Sequence, residues 1–484
     1  MTIKNNIYQS SLSFALSIFF LMVSCQVAKA ELDLSLPDYN LPDIGASSVG
    51  TLSYAKERQI GLKVLREIRS SAVVIEDPEI SAWIRSLGNR LSARSPNSSN
   101  PFYFLVVKDK AVNAYATLGG VIVVNTGLIL QTASESELAA VLSHEIAHVT
   151  QRHIARMMEK SRLNTLGAGV AVLAGILASS KSPDAGQAII TGAIAMQAHK
   201  ALIFSRAAES EADRVGLRIL AASGFNPMAM PKFLQKLESE FTGVEGNANE
   251  YLRSHPLSVN RVSGTRSSAL KYGAYKGKSN SEAYLYMREK IRSLVRATGR
   301  QAIIPNNIPT KIRRYADSVA FLQRGNASLV LKTMGVRSSN KSDAALIAEA
   351  LLIQRNYLGV VKLLTPLVRL YPGENALVLP LANAYLGLRE AQKAWLLMKT
   401  VVLSEQSSLL FFEVKQNIAR QLGLTGSAYH AVAERNMRLG NYKAALAQLR
   451  QAMKSGDISG AELRILQTLL DKVEMEKKQE GDDN

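Results

Sequence analysis

Apolar positions recur every three to four residues along much of this chain, the period of amphipathic helices, and one short region reads as strands instead. A first helix is expected over 53 to about 69. Helical spacing continues through Ala82, Trp83, Ile84, Leu87 and Leu91 until the Ser-Pro-Asn-Ser-Ser-Asn-Pro run at 95–101 breaks it. Positions 102–108 and 120–125 are rich in β-branched and aromatic residues and predict strands. Between them, 111–119 predicts a third short strand with a Gly-Gly turn, giving a small sheet. Ser134 then caps a helix predicted from 135 to about 160, with acids in its first turn and Arg and Lys near its end, as the helix dipole favours.

Beyond 261 the pattern turns basic and polar to about 307, bridged by helical segments around 282–296, and from 309 it is helical again. Three stretches there align: Arg355-Asn356-Tyr357 with Val360 and Leu364, Arg389-Glu390-Ala391 with Ala394 and Met398, and Gly440-Asn441-Tyr442 with Ala445 and Leu449. Their starts differ by 389 − 355 = 34 and 440 − 389 = 51 residues, and 51 is 34 plus 17, one further helix. About 34 residues is the tetratricopeptide period, and the Gly-Asn-Tyr unit resembles such a repeat. A chance period in an irregular bundle is the plainer alternative. The concave face of a short solenoid suits an extended segment of a partner.

The expected division is a signal peptide at 1–30, an extended lead-in at 31–50, a first domain at 51–270, a basic linker at 271–308, helical repeats at 309–475 and a disordered tail at 476–484. The signal rests on Lys4, the apolar run 11–23 and Ala28-Lys29-Ala30 before the cleavage point, so the mature chain begins at Glu31. A rival reading makes Cys25 a lipoprotein cysteine after Val23-Ser24, although Met22 stands where Leu is usual. An uncleaved anchor needs roughly 20 apolar residues, longer than this run.

Composition narrows the chemistry. The chain has 484 residues, 47% apolar and 20% charged, enough for two or three domains. Lys and Arg number 58 against 40 acids, a formal +18, which suits an anionic partner. No stacking motif or Cys-His finger accompanies those basic residues, so no nucleic-acid partner is expected. A single cysteine excludes an intrachain disulfide and a Cys-ligated zinc finger, leaving His and carboxylates to hold any metal. Two uncharged Ala/Gly-rich runs, 163–180 and 185–198, read as short packed helices, with a flap or a hairpin making peripheral membrane contact as the alternative.

His144-Glu145-Ile146-Ala147-His148 stands inside the predicted helix from 135. Histidines four apart lie about 40° apart around a helix, so both imidazoles can reach one ion, while Glu145 can meet water there as general base. The bland alternative is a buried helix with hydrogen-bonded histidines. A catalytic zinc takes a third protein ligand and keeps one open position. His153 falls about 180° round the same helix from His144 and reads as a surface or packing residue. The metzincin pattern fails, because Gln151 and Ile154 stand where it needs Gly and His. Glu209 and Asp213, in Ser205-Arg206-Ala207-Ala208-Glu209-Ser210-Glu211-Ala212-Asp213, are better placed, Glu209 as ligand and Asp213 as acceptor from a ligating imidazole. Alone, that spacing is usually a solvated face; it matters here because it follows H-E-x-x-H. His199 and His430 read as structural.

These two motifs together resemble the zinc peptidase family that includes HtpX, the mitochondrial Oma-type protease and the CAAX prenyl protease. The resemblance covers roughly 50–260 and implies a mainly α protein: an α+β zincin-like metallopeptidase domain with a small sheet, followed here by an α-helical tetratricopeptide-type solenoid. It implies one Zn2+ per chain on His144, His148 and Glu209, with Glu145 as base. It places Asn113, Ala114, Tyr115, Gly119 and Gly120 on the sheet bordering the cleft, where an edge strand can pair with substrate backbone. Ser254-His255-Pro256 matches a recurring His-Pro element, which gives His255 either a catalytic role in transition-state stabilisation or occupation of the open zinc position in a latent enzyme. A lone loop histidine more often does neither.

With its signal peptide and repeats, the whole chain is similar to the family's periplasmic branch. That likeness implies an endopeptidase of outer-membrane quality control, acting on unfolded or misassembled β-barrel proteins and docking on them or on the β-barrel assembly machinery through the repeats. The alternatives are a chaperone or assembly adaptor with a latent zinc site, and a lipid-surface protein using the basic charge and the 163–198 segment.

Overall fold

The strands are unbroken apolar runs, Tyr-Phe-Leu-Val-Val at Tyr103–Val107 (β1) and Val-Ile-Val-Val-Asn at Val121–Asn125 (β3), a composition that suits strands covered on both faces. β1 runs parallel to β3, with Tyr103 opposite Val121, and the short Ala114–Ala116 (β2) runs antiparallel to β3 on its other side, giving the order β1-β3-β2. One face, with Tyr103, Leu105, Val107, Val121 and Val123, packs with Ile60, Val64 and Ile68 of helix α1, Tyr54–Ser70. The opposite face, with Phe104, Val106, Ile122 and Val124, joins a core with Ile84 and Leu87 of α2, Pro78–Ser92. Ser53 caps α1, and Asp77 with Pro78 starts α2, as the sequence chemistry favours.

This computed structural model describes residues 52–71, 73–96, 101–160, 204–241, 250–256, 258–278, 280–295 and 308–481. The expected signal peptide with Cys25, the lead-in, the 163–198 runs and His199 lie outside the described residues. Among the described residues no helix is long and apolar enough to cross a membrane.

Gly119 and Gly120 form the turn into β3 with φ of 70° and 80°. A Cβ on Gly119 would stand 2.6 Å from the Glu57 carbonyl oxygen of α1, and one on Gly120 2.3 Å from that of Pro101. Both glycines let backbones approach closely at this turn. After Thr126–Gln131 (α3), the helix expected from 135 to about 160 is two helices, Glu135–Thr150 (α4) and His153–Lys160 (α5). The break falls at Arg152, φ 53°, whose guanidinium pairs with Glu57 and lies 4.5 Å over the Tyr54 ring. Contacts from α1 therefore hold a backbone conformation that L residues seldom adopt.

Among the described residues the first domain continues with Arg206–Ala222 (α6), Ala229–Phe241 (α7), Glu250–Ser254 (α8) and Val259–Leu270 (α9). The stretch expected as a basic linker carries Glu282–Val295 (α10), which buries Tyr284, Tyr286, Met287 and Ile291. The Tyr284 hydroxyl donates to Thr132 O at 3.0 Å, and that of Tyr286 to Asp343 at 3.1 Å, so α10 is a packed bridge between the two halves.

Then come Thr310–Gln323 (α11), Ala327–Met334 (α12), Lys341–Ile353 (α13), Tyr357–Leu370 (α14), Asn375–Gly387 (α15), Ala391–Met398 (α16), Leu409–Gln421 (α17), Thr425–Arg438 (α18), Tyr442–Lys454 (α19) and Gly460–Gly481 (α20). From α13 onward the helices start at 341, 357, 375, 391, 409, 425, 442 and 460, steps of 16 to 18, so two helices take about 34 residues. Each packs on its chain neighbours, and α13, α15 and α17 also meet in turn, the local contact pattern of a stacked array. Residues 476–481, expected as disordered tail, continue α20.

The array docks on the first domain through polar groups. Arg69 of α1 donates to Glu405 O at 3.0 Å and Ser407 O at 2.9 Å, and Arg66 to the Tyr442 hydroxyl at 2.6 Å. The Gln406 side chain accepts from Phe104 N at 2.8 Å and donates to Phe102 O at 3.0 Å, the bonds a neighbouring strand would make, on the outer edge of β1. Lys290 of α10 pairs with Asp77 and Glu79, both at 2.7 Å.

Candidate metal centre

Nearly every residue of α4 is buried, an unusual setting for a helix carrying two histidines and a glutamate. Ser134 caps it, accepting from Glu137 N, and α6 crosses it at Gly216. A Cβ there would lie 3.0 Å from the His144 Cα, the His144 N and the Ser143 O. Backbone contact at this crossing brings Glu209 and Asp213, on the same helix, up to the α4 histidines. His255 arrives from the end of α8, where Phe204 N donates to Ser254 O at 3.3 Å.

His144, His148, Glu209 and His255 each offer one donor atom, and these atoms all lie within 4.8 Å of one another. His144 Nε2 stands 3.0 Å from His148 Nε2, 3.4 Å from Glu209 Oε2 and 3.4 Å from His255 Nδ1. His148 Nε2 is 3.5 Å from Glu209 Oε1, and His255 Nδ1 is 3.0 Å from the same oxygen. Tetrahedral ligands about 2.0–2.2 Å from a zinc ion stand roughly 3.3–3.6 Å apart, so the spacing fits. Three imidazole nitrogens converging on one point cannot all donate to one another, whereas a cation satisfies them together. The residues therefore fit a metal, although this donor chemistry does not by itself name which one.

The surrounding groups orient these donors. His144 Nδ1 lies 3.0 Å from Asp213 Oδ1, placing Asp213 behind a histidine of the cluster. Sequence reasoning missed Arg261 of α9, which donates to both Asp213 oxygens at 2.7 and 2.8 Å, lies 2.7 Å from Glu209 Oε2, and donates to Pro256 O at 3.1 Å. One guanidinium thus ties Glu209, Asp213 and the His255-Pro256 corner together; an arginine six residues after His255 carries no local signal of this. His153 was missed too. Because α5 starts afresh after the break, His153 is buried with its Nδ1 2.9 Å from His148 Nδ1, so it is not the surface residue that was one of its two expected places.

Burial raises the Glu145 carboxyl above its usual range, with Glu209 adding to the rise and His255 and His144 opposing it. Its Oε2 accepts from Ala116 N of β2 at 3.0 Å, while its buried Oε1 has no hydrogen-bond partner among the described residues and lies 3.5 Å from His255 Nε2. Burial opposes charge on Glu209 as well, but His255 and His144 outweigh it and hold that carboxyl below its usual value. His144 is pushed up to about 10, burial being overcome by Asp213 and Glu209. His153 is lowered to about 4, burial outweighing Glu211.

Of the strand residues, Ala114, Tyr115 and Ala116 form β2 at the sheet edge beside Glu145, and Asn113 is buried just before it with its Oδ1 unpaired among the described residues. His430 lies on α18, 3.6 Å from Glu434.

The sequence model of peptidase family M48 matches residues 78–269, which hold all four donors and Glu145. The chain is 41% identical over 265 residues to a beta-barrel assembly-enhancing protease of Yersinia pestis, covering 54% of each chain. It is 38% identical over 245 residues to the protein of that name in Escherichia coli K12, covering 51% of this chain and 50% of that one. It is 34% identical over 158 residues to the mitochondrial metalloendopeptidase OMA1 of Arabidopsis thaliana, 32% of this chain and 29% of that one. The chain thus spans about half the length of the curated beta-barrel relatives it matches. Residues 78–269, which carry the four donors, are thus similar to peptidase family M48, and about half of the chain is similar to the beta-barrel assembly-enhancing proteases.

Proposed function

We propose that this chain is a zinc-dependent endopeptidase of the Gram-negative periplasm, acting near the outer membrane on misassembled β-barrel proteins. The observation that carries the reading is the convergence of His144, His148, Glu209 and His255 within 4.8 Å, with the free Oε1 of Glu145 beside them. Zinc held there supplies Lewis-acid charge for a scissile carbonyl and acidifies water. Glu145, its proton affinity raised by burial, takes the water's proton and returns it to the leaving amine.

β2 supplies the means of holding a chain. Asn113 O accepts from Asn125 N and Thr117 N donates to Val121 O, so odd-numbered residues face β3 and the backbone groups of Ala114 and Ala116 face away from it. Ala116 N–H meets Glu145 on that side, so an extended substrate added along β2 lies beside the base. The name of the relatives in Yersinia pestis and Escherichia coli, beta-barrel assembly-enhancing protease, supports misassembled barrel proteins as substrates and their assembly machinery as a partner of the repeats.

We read His255 as the fourth ligand of a latent state rather than a transition-state group, because its Nδ1 sits inside the donor set. Four protein ligands leave no open position. The test is His255→Ala against Glu145→Gln on an unfolded barrel protein. Latency predicts faster cleavage by His255→Ala and none by Glu145→Gln. Slower cleavage by His255→Ala assigns His255 to the transition state. A Glu145→Gln chain that keeps its function in cells supports the adaptor reading instead.

A further inference from the structure

We propose that His153 and Glu211 form a positioning relay that fixes the tautomer of His148 and strengthens its hold on the metal. This rests on the metal-centre reading above.

His148 turns its Nε2 into the donor cluster, 3.0 Å from His144 Nε2, so its Nδ1 points outward and meets His153 Nδ1 at 2.9 Å. Two ring nitrogens at that distance share one proton. A ligating Nε2 carries none, so His148 holds its proton on Nδ1 and donates it. His153 Nδ1 therefore accepts, and its own proton sits on Nε2, which donates to Glu211 Oε2 at 3.1 Å. Arg156 of α5 donates to the same oxygen at 3.0 Å and holds that carboxylate in place.

One proton arrangement satisfies every bond from Glu211 to the donor cluster. Phe204 covers the pair, its ring 4.0 Å from that of His148 and 6.2 Å from that of His153, and both histidines are buried, so water does not compete for the bond between them, whereas Glu211 is partly exposed. The two α4 histidines are thus backed unequally. His144 has a carboxylate directly behind it, whereas His148 reaches one only through a second imidazole. Ligating histidines whose outer nitrogen loses its acceptor typically weaken metal binding 10- to 100-fold.

The experiment titrates Zn2+ against a competing chelator in the full chain and in three variants, with melting of the metal-free proteins alongside. His153→Phe keeps the ring volume and removes the acceptor; the expected zinc dissociation constant rises about 10- to 100-fold. His153→Asn places an amide oxygen where Nδ1 stood and recovers most of that loss. Glu211→Gln raises the constant by less, in the same direction. Should His153→Phe fail to fold, the other two variants decide. Wild-type affinity in His153→Phe, or equal losses in Phe and Asn, overturns the relay and leaves His153 as packing. Absence of zinc binding by the wild type overturns the metal-centre reading itself.

Discussion

Gly216→Ala tests how the metal centre is assembled. The close crossing of α4 and α6 depends on a residue without a Cβ: an added methyl would sit 3.0 Å from three backbone atoms of Ser143 and His144. Comfortable carbon contacts begin near 3.5 Å, so α6 must retreat by roughly half an ångström, since helix backbone cannot swing aside as a side chain can. Overpacking of this kind costs about 1–3 kcal/mol, and the gain in helix propensity returns about 1, leaving a net loss of about 0–2 kcal/mol. Glu209 lies seven residues earlier, two turns along the same face, and moves with the helix. A displacement of that size in a reacting constellation costs on the order of tenfold in metal affinity or rate. Gly264→Ala is the contrast, since that glycine lies in α9 with nothing within 4 Å of an added Cβ. It should stabilise by up to about 1 kcal/mol and leave the site alone. Denaturant unfolding and zinc titration of both variants make the comparison. Gly216→Ala behaving like Gly264→Ala, more stable and with unchanged zinc affinity, refutes the argument.

Other consequences follow from the contacts between the halves. Arg69→Ala strands two backbone carbonyls and the Glu76 carboxylate that the guanidinium serves, and should cost about 2–4 kcal/mol; unchanged thermal unfolding would contradict the docking described. Glu349 lines a cleft with Glu79, Lys290, Asn383 and Glu413, where water reaches it although protein encloses it. Burial, with help from Asp77 and Glu79 against Lys290, pushes its carboxyl up to about 7 from 4.5. A raised folded value means its stabilising contribution is complete below pH 4.5 and lost as pH rises through 7. Water access keeps the effect below about 1 kcal/mol, so Glu349→Gln should gain slightly in melting temperature over wild type across that window. A difference of opposite sign would show the carboxylate to be welcome in the cleft.

The parts of the site fixed within one helix were legible in the sequence. H-E-x-x-H declares itself by spacing because three side chains at i, i+1 and i+4 share one side of a helix, and Glu209 and Asp213 repeat that logic on α6. The small sheet was legible because its two longer strands are apolar throughout. What escaped depended on distant chain. Nothing in Gln151-Arg152-His153 marks a helix break, since the left-handed turn at Arg152 is held by Glu57 and Tyr54 of α1, and the break alone brings His153 behind His148. Arg261 sits on a helix that meets the site only after folding. Gly119 and Gly120 are legible as a turn, but their closeness to α1 and Pro101 is tertiary. The bond between Gln406 and the β1 edge joins residues some 300 positions apart, beyond any local pattern.

The most direct test of the central claim is the metal content of the purified chain together with its cleavage of an unfolded β-barrel protein, measured for wild type and Glu145→Gln in the His255→Ala background. The account predicts one zinc per chain in both and cleavage only where Glu145 is present. Equal cleavage by both, or zinc absent from both, contradicts it.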